Sequence, residues 1–155
     1  MSPERSPTST LFAFLHHAAA FTLVSAIAVE FTLTRQELTL ATARRLLATD
    51  AVLGVSATAL LAIGLLRVFY FEKGAACYFS SRAFMAKLSI FIALAVLSLI
   101  PTVEFLSWRK AIKAGQAPQP TPQKIKVIRS LPHGEMLGIV IILLCAAIMA
   151  RGGWV

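Results

Sequence analysis

The sequence is short of charged residues. Only 14% of its 155 residues are Asp, Glu, Lys or Arg, whereas 57% are hydrophobic, and the mean hydropathy is +0.76. A soluble domain carries about 25% charged and roughly 45–50% apolar residues, so this chain has too few polar side chains to cover a surface in water. The composition excludes a soluble globular enzyme and indicates one integral membrane domain over residues 1–155.

Cysteine is also scarce, with only Cys77 and Cys145 in the chain. They fall in a predicted outward loop and in the fourth apolar segment, so we expect no disulfide, and no Cys-x-x-Cys metal motif is present. Ala26-Ile27-Ala28 fits the cleavage pattern of a signal peptide. The N-terminal region lacks the net positive charge of such a peptide, so we expect its apolar stretch to remain as a span.

Long apolar runs are what the sequence does contain. Four segments approach the length of about 20 residues that crosses a bilayer core as a helix. Because backbone groups cannot stay unpaired in lipid, each segment is expected to be α-helical. The predicted fold is therefore all-α, an integral membrane four-helix bundle. Its predicted spans are about residues 11–31, 51–71, 84–108 and 135–154.

Basic residues are concentrated in two of the predicted loops. Loops 32–50 and 109–134 hold nine of the fifteen Lys and Arg residues. Positive charge is retained on the cytoplasmic side of a membrane, so these loops are predicted to be cytoplasmic and both termini to face the outer, periplasmic side. Residues 34–50, rich in Arg and Leu, predict a short helix on the membrane surface. Residues 116–122, rich in proline, predict an extended segment.

The net charge of +8 does not indicate nucleic-acid binding. The positive charge follows the topology, and no basic face with groups for base readout is evident. Lys124, Lys126 and Arg129 are expected instead to contact anionic lipid headgroups. We therefore expect a multi-pass protein of the bacterial inner membrane with no nucleic-acid partner.

Antiparallel helices would sort the polar residues of the spans into two layers. The outer layer contains His16, His17, Arg67, Met85 and Lys87. The two histidines point about 100° apart on a helix, so one is expected to face the bundle, and both assignments stay open. Histidine with methionine or a second histidine is an axial pair for haem b, whose propionates would suit Arg67 and Lys87. Alternatively, both cations snorkel to the interface and Met85 only packs.

The inner layer contains Asp50 and a candidate polar network of six residues: Glu30, Glu104, Trp108, Arg109, His133 and Glu135. Glu104 and Trp108 lie one helical turn apart and share a face. Glu135 is expected in the first turn of the fourth helix, where the helix dipole stabilises a carboxylate.

Glu30 has two interpretations within this layer. It is placed to form an ion pair with Arg35 or Arg109 near the end of the first span. Alternatively, it takes part in a proton relay with His133. Both interpretations follow from the cost of a membrane carboxylate, which usually has a partner or a function.

Several short motifs resemble a known family. They are His16-His17, Glu30, Phe71-Glu72-Lys73-Gly74, Phe84-Met85-Ala86-Lys87, Ser98-Leu99-Ile100-Pro101-Thr102 and Trp108-Arg109. Together these motifs extend over nearly the whole chain. In this respect the sequence resembles the uncharacterised bacterial membrane family called domain of unknown function 2214.

A more distant resemblance connects the chain with HemJ-type protoporphyrinogen oxidases and CopD-like copper-resistance proteins. It is carried by Arg44-Arg45-Leu46-Leu47, Met85-Ala86-Lys87-Leu88 and Ser107-Trp108-Arg109-Lys110. HemJ-type proteins are four-helix bundles that bind haem through a first-span histidine. The resemblance thus implies a haem ligand at His16 or His17 and a porphyrin-site role for Lys87. Met85 replaces a histidine of their pattern and their first-span tryptophan is missing, so haem binding is implied more than oxidase activity.

Three functions remain as hypotheses. The first is a haem b-binding membrane redox or electron-transfer protein, which would be an oxidoreductase if it is an enzyme. The second is a non-enzymatic accessory subunit of a larger membrane complex or a homo-oligomer, with Gly134 and Gly138 serving helix packing. The third is an ion or small-solute transporter, which would have to oligomerise and lacks a broken inverted pair of helices.

Overall fold

The computed structural model of the chain describes residues 7–71 and 82–151. These residues form the helices α1 (Pro7–Leu33), α2 (Leu40–Leu66), α3 (Arg82–Ser107), α4 (Arg109–Lys113) and α5 (Pro122–Ala150). A π-helical turn, Arg67–Phe71, prolongs α2. The described ranges contain no strand. The predicted outward loop around Cys77 and the predicted end of the fourth span, 152–154, lie outside the described residues.

Four of these helices provide segments long and apolar enough to cross a membrane, namely Pro7–Leu33, Leu40–Tyr70, Phe84–Lys113 and Pro122–Ile148. The prediction of an all-α fold with four spans is confirmed. Only 11–22% of the residues in each apolar window are buried within the chain. Large side chains such as Phe21, Val55 and Leu137 are exposed. Soluble monomers rarely expose apolar surface on this scale, so it faces lipid or other subunits.

The second helix begins earlier than predicted. It begins at Leu40 and runs without interruption into the apolar span, so the prediction of a separate surface helix in residues 34–50 is wrong. Thr39 caps the helix, with its side chain accepting a hydrogen bond from the N–H of Thr42 at 3.2 Å. No Gly or Pro interrupts residues 40–53, and Ala43 and Leu46 are buried. Burial of these apolar side chains explains why the Arg-rich residues 40–50 form the first turns of the same helix that crosses the membrane.

The fourth long helix, α5, also begins earlier than predicted. It begins at Pro122. Proline is favourable at the first position of a helix, because the N–H that it lacks would have no partner within the helix there. Pro132 lies inside the helix and is buried. Glu135 therefore lies about three and a half turns into the helix, and its predicted place in the first turn is wrong. Residues 116–121 of the predicted extended segment form no helix, whereas its last residue, Pro122, begins α5.

The bundle consists of two antiparallel helix pairs. α1 packs mainly against α2 and α3 against α5, while contacts of α1 with α5 and of α2 with α3 join the pairs. A middle cluster buries Leu23, Ala26, Ile27 and Leu53. A second cluster lies where α1 and α3 end, and contains Leu33, Ala43, Leu46, Phe105, Trp108 and Ile128. We call this end the basic end, because it carries nine Lys and Arg residues: Arg35, Arg44, Arg45, Arg109, Lys110, Lys113, Lys124, Lys126 and Arg129.

Gly138 allows α3 and α5 to approach each other closely. A Cβ atom at this position would lie 2.5 and 2.7 Å from the two Cδ atoms of Leu94 and 3.0 Å from its Cγ. Such distances are too short for real contacts, so any larger residue forces the Leu94 side chain to move. Small residues at helix contacts are the usual means of close packing in membranes, and Gly138 fulfils that prediction.

Replacing Gly138 with Ala should therefore destabilise the bundle, whereas Gly54→Ala should not. Both changes add the helix preference of Ala, about 1 kcal/mol. A Cβ at Gly54 meets nothing within 4 Å, whereas at Gly138 overpacking costs about 1–3 kcal/mol. Thermal unfolding of the purified variants in detergent measures the difference. Equal melting temperatures for the two variants would contradict the close contact.

Candidate functional site

Two layers of polar side chains cross the bundle. The His16 layer, distant from the basic end, contains His16, and Arg67 and Lys87 lie within electrostatic range of its ring. The carboxylate layer, nearer the basic end, contains Glu30, Asp50 and Glu135, which interact electrostatically with one another. On α1, His16 and Glu30 are separated by about 21 Å at a rise of 1.5 Å per residue.

The separation of the layers constrains where they lie in a membrane. The hydrocarbon core of a bilayer is about 30 Å thick. Two layers about 21 Å apart cannot both lie outside it when the apolar segments cross it. At least one layer therefore lies within the hydrocarbon core of the bilayer, where an ionised group without a partner is costly.

The carboxylate layer is almost completely buried. Glu30 and Glu135 are each 1% exposed and Asp50 is 5% exposed. The Thr102 hydroxyl donates to Oδ1 of Asp50 at 2.7 Å, and the Ser98 hydroxyl donates to Oε1 of Glu135 at 2.7 Å. Two carboxylates from α2 and α5 are thus held by hydroxyls of a single helix, α3.

Three carboxylate oxygens in this layer have no such donor. Both oxygens of Glu30 and Oε2 of Glu135 are buried without a hydrogen bond to any described residue. Within residues 7–71 and 82–151, no Lys or Arg forms an ion pair with these two side chains. A carboxylate in such surroundings either carries a proton or takes a cation as its partner. Within the described residues, this layer is therefore where buried carboxylate oxygens lack hydrogen-bond donors.

The local sequence of α3 explains how one helix supplies both donors. Pro101 is buried inside the helix and lacks the N–H that would bond to the carbonyl one turn before it. Ser98 and Thr102 lie on either side of it, one turn apart. Their hydroxyls also lie 2.9 Å from the Leu94 carbonyl and 2.8 Å from the Ser98 carbonyl, respectively. Each of these hydroxyls thus lies within hydrogen-bond distance of a carbonyl of α3 and of a carboxylate on a neighbouring helix.

Part of the predicted inner network lies outside the carboxylate layer. Glu104 accepts a hydrogen bond from Nε1 of Trp108 at 3.1 Å and forms a salt bridge with Lys124 at 2.7 Å. The shared face of Glu104 and Trp108 is confirmed. Arg109 is exposed and lines the same cavity as Asp50 and Glu135. Glu104 therefore stabilises the basic end and does not belong to the buried carboxylates.

The predicted ion pair of Glu30 with Arg35 or Arg109 is wrong. Arg35 lies beyond the end of α1, where its guanidinium covers the Phe31 ring at 4.1 Å and donates to Nε2 of His133 at 3.0 Å. His133 is exposed, and its Nδ1 lies 3.2 Å from the Arg129 carbonyl. The structure places His133 with surface groups of the basic end and brings it into no hydrogen bond with Glu30.

In the His16 layer the two histidines differ. His16 is half-buried, and its Nδ1 is buried without a hydrogen bond to the described residues. Its Cε1 would lie 3.2 Å from a Cβ at position 64, so Gly64 makes room for the ring against α2. His17 is exposed, and its Nδ1 lies 2.6 Å from the Ala13 carbonyl of its own helix. His16 is thus the histidine that contacts the bundle.

Met85 and Lys87, which were also predicted in the outer layer, differ in their surroundings. Met85 is 40% exposed. The Lys87 ammonium lies 5.5 Å from the ring centroid of Phe84, which is buried. Among the described residues, no group of three or more His, Cys, Asp or Glu side chains is arranged to hold a metal ion. A haem iron takes only one or two protein ligands, so that finding does not test haem binding.

The predicted network missed the two hydroxyl donors of the carboxylate layer, Ser98 and Thr102. Asp50 was predicted in the inner layer, but not as a member of the polar network. Ser98 and Thr102 had only a weak signal in the sequence, as hydroxyls one turn apart around a helical proline. Only the pairing of helices shows that these hydroxyls reach carboxylates on α2 and α5.

The hydrogen bond between Thr102 and Asp50 should contribute measurably to stability. Thr102→Val keeps the side-chain shape but leaves a buried acceptor without its donor, so we expect a loss of about 1–2 kcal/mol. Thr58→Val is the matched control, because its exposed hydroxyl bonds only to the Gly54 carbonyl of its own helix. Unfolding of both variants in detergent measures the effect. An equal loss in both would show that the bond to Asp50 adds nothing.

The comparisons with known proteins agree with this architecture. A family model described as "Predicted membrane protein (DUF2214)" matches residues 8–153, and so includes both polar layers. No curated protein and no solved structure matches the chain. Because the match extends over nearly the whole sequence, the chain belongs to the DUF2214 family of predicted membrane proteins.

Proposed function

We propose that this protein is a multi-pass protein of the bacterial inner membrane that binds haem b through His16 and serves as a redox or electron-transfer protein. The observation that carries the proposal is the half-buried His16 imidazole. Its Nδ1 has no hydrogen bond to the described residues, and two cations lie within electrostatic range. If the protein is an enzyme, it is an oxidoreductase.

The residues of the His16 layer fit the demands of a haem. One imidazole is sufficient as an axial ligand of the iron, and His16 would provide it. Arg67 and Lys87 would hold the propionates, since guanidinium and ammonium groups bind carboxylates well. The haem, when bound, supplies one-electron chemistry. The chain's own contribution is to hold and orient it at one end of the bundle.

His17 and Met85 are weaker candidates for iron ligands. His17 is exposed and its Nδ1 lies against a carbonyl of its own helix. Met85 is 40% exposed, so a second axial bond from it would require the side chain to turn from the surface. The proposal therefore assigns the protein ligand to His16 and leaves the other axial position to a group outside this pair.

The proposed topology places the basic end in the cytoplasm. All nine Lys and Arg residues of loops 32–50 and 109–134 lie at that end, and positive charge is retained on the cytoplasmic side. Both termini then face the periplasm. Lys124, whose side chain is 55% exposed, and its basic neighbours contact anionic headgroups of the inner leaflet.

A second candidate function rests on the exposed apolar surface. Because 11–22% of each apolar window is buried, the helices have ample surface for contacts with other membrane subunits or with a second copy of the chain. As an accessory subunit, the protein would be purified with stoichiometric partners. A monodisperse particle of this chain alone would count against that function.

The absorption spectrum of the purified protein tests haem binding. Protein expressed with an adequate haem supply should show a Soret band, and His16→Ala should lose most of its absorbance per mole of protein because the iron loses its ligand. His17→Ala is the matched control and should retain the band. A wild-type protein without a Soret band, or a His16→Ala variant that keeps it, refutes the proposal.

Cysteine labelling in intact cells tests the topology. Native Cys77, in the segment predicted to face outward, should react with a membrane-impermeant maleimide before lysis. In a Cys77→Ser background, Gln119→Cys, in the exposed segment after α4, should react only after the membrane is permeabilised. Labelling of Gln119→Cys in intact cells would reverse the proposed orientation.

A further inference from the structure

A cavity of about 510 Å³ lies between the long helices of the bundle. Its walls are mostly apolar, and Leu23, Leu53, Phe91 and Ile139 contribute to them. Asp50, Ser98, Thr102 and Glu135 bring the carboxylate layer to the same cavity. Cavities of roughly 300–1,000 Å³ with apolar walls and a few polar groups are typical sites for small organic ligands.

Glu135 lies in the wall of this cavity and has one acceptor without a partner. The side chain is 1% exposed and lines the cavity, and Ser98 donates to its Oε1 at 2.7 Å. Its Oε2 is buried without a hydrogen bond to any described residue. A carboxylate with one oxygen held and the other without a donor is stabilised by a donor or a positive charge that the described residues do not supply.

The charges around the cavity favour a cation as its occupant. Asp50 and Glu135 both line it, and Arg109 is the cation among its lining residues. Arg109 is exposed, whereas the two carboxylates are buried. Charge in water is screened more strongly than charge in a low dielectric, so Arg109 offsets the buried carboxylates only weakly. A bound cation would be the partner that a buried carboxylate needs in order to stay ionised.

The size and the walls of the cavity determine what kind of cation fits. Among the described residues, no group of three or more His, Cys, Asp or Glu side chains is arranged to hold a metal ion. An organic cation with a large apolar body gains from contact with the apolar walls. Phe91 adds an aromatic surface against which such an apolar body packs.

We propose that this cavity binds a monovalent organic cation with a large apolar body, and that Glu135 is its counter-charge. The cation centre lies beside Glu135 and Asp50, and the apolar body extends toward the middle of the bundle, along Leu53 and Phe91. The site is separate from the proposed haem site, because His16 does not line the cavity. Leu23, a lining residue on the same helix, lies about 10 Å from His16 along the axis at a rise of about 1.5 Å per residue.

Tetraphenylphosphonium is a suitable probe, because its charge is delocalised over a large apolar body. Binding of the radiolabelled ion to the full chain in mild detergent should be saturable. Tetraphenylborate has nearly the same shape with the opposite charge, and it should not compete. This pair of ions separates recognition of charge from nonspecific partition into the detergent or the bundle.

Three variants locate the site. Glu135→Gln keeps the contact with Ser98 but removes the charge, and should weaken binding about tenfold, which corresponds to about 1.4 kcal/mol. Glu37→Gln removes one negative charge from an exposed loop residue and should leave binding unchanged. Gly54→Leu adds bulk to the cavity wall at a position with nothing within 4 Å of the new Cβ, and should weaken binding without disturbing the fold.

The outcomes decide the proposal in either direction. Saturable binding that Glu135→Gln and Gly54→Leu weaken, and that Glu37→Gln leaves unchanged, supports it. Absence of saturable binding, equal competition by tetraphenylborate, or unchanged affinity in Glu135→Gln and Gly54→Leu overturns it. Elution of each variant as a single folded species, with wild-type helical content, validates the comparison.

Discussion

The cost of a carboxylate without a partner inside a membrane is the constraint on which this bundle depends. Glu30, Asp50 and Glu135 come from three different helices and share one buried layer. Their placement brings the helices into register, because the hydroxyls of Ser98 and Thr102 must face α5 and α2 at the same depth. Small residues between the helices, such as Gly138 against Leu94, then allow α3 and α5 to pack closely.

At the basic end of the bundle, the charged groups are mostly cations at the surface. Its Lys and Arg residues lie in and beside the loops, and several of them also connect helices. Arg129 donates to the Thr34 carbonyl just beyond α1 at 2.9 Å, and Lys124 forms a salt bridge with Glu104. None of these described cations donates to the oxygens of Glu30 or to Oε2 of Glu135, which stay buried without a hydrogen bond to the described residues.

The two proposed sites use opposite parts of this arrangement. The His16 layer combines an imidazole with cations and is suited to an anionic, metal-containing ligand such as haem. The cavity beside the carboxylate layer combines buried carboxyl groups with apolar walls, and is proposed to bind a cation. A membrane protein with both sites has room for redox chemistry at one end and for a separate small ligand nearer the other.

The sequence by itself determined the membrane class, the number of spans and the position of the basic loops, because composition and apolar length are properties of consecutive residues. It also indicated that His16, Lys87, Glu30 and Glu135 are unusual, since ionisable groups interrupt apolar segments there. It misplaced the start of α2 and α5, because their first turns are polar on one side and are held by burial of Ala43, Leu46 and Ile128 on the other.

Only the tertiary structure decided which histidine contacts the bundle, that Glu30 lacks an ion pair, and that Asp50 and Glu135 line a common cavity. These features depend on which faces of antiparallel helices meet, over separations such as the 52 residues between Asp50 and Thr102. Local sequence patterns define the polar face of one helix but not the helix against which it packs. For that physical reason the candidate residues were partly foreseeable and their partners were not.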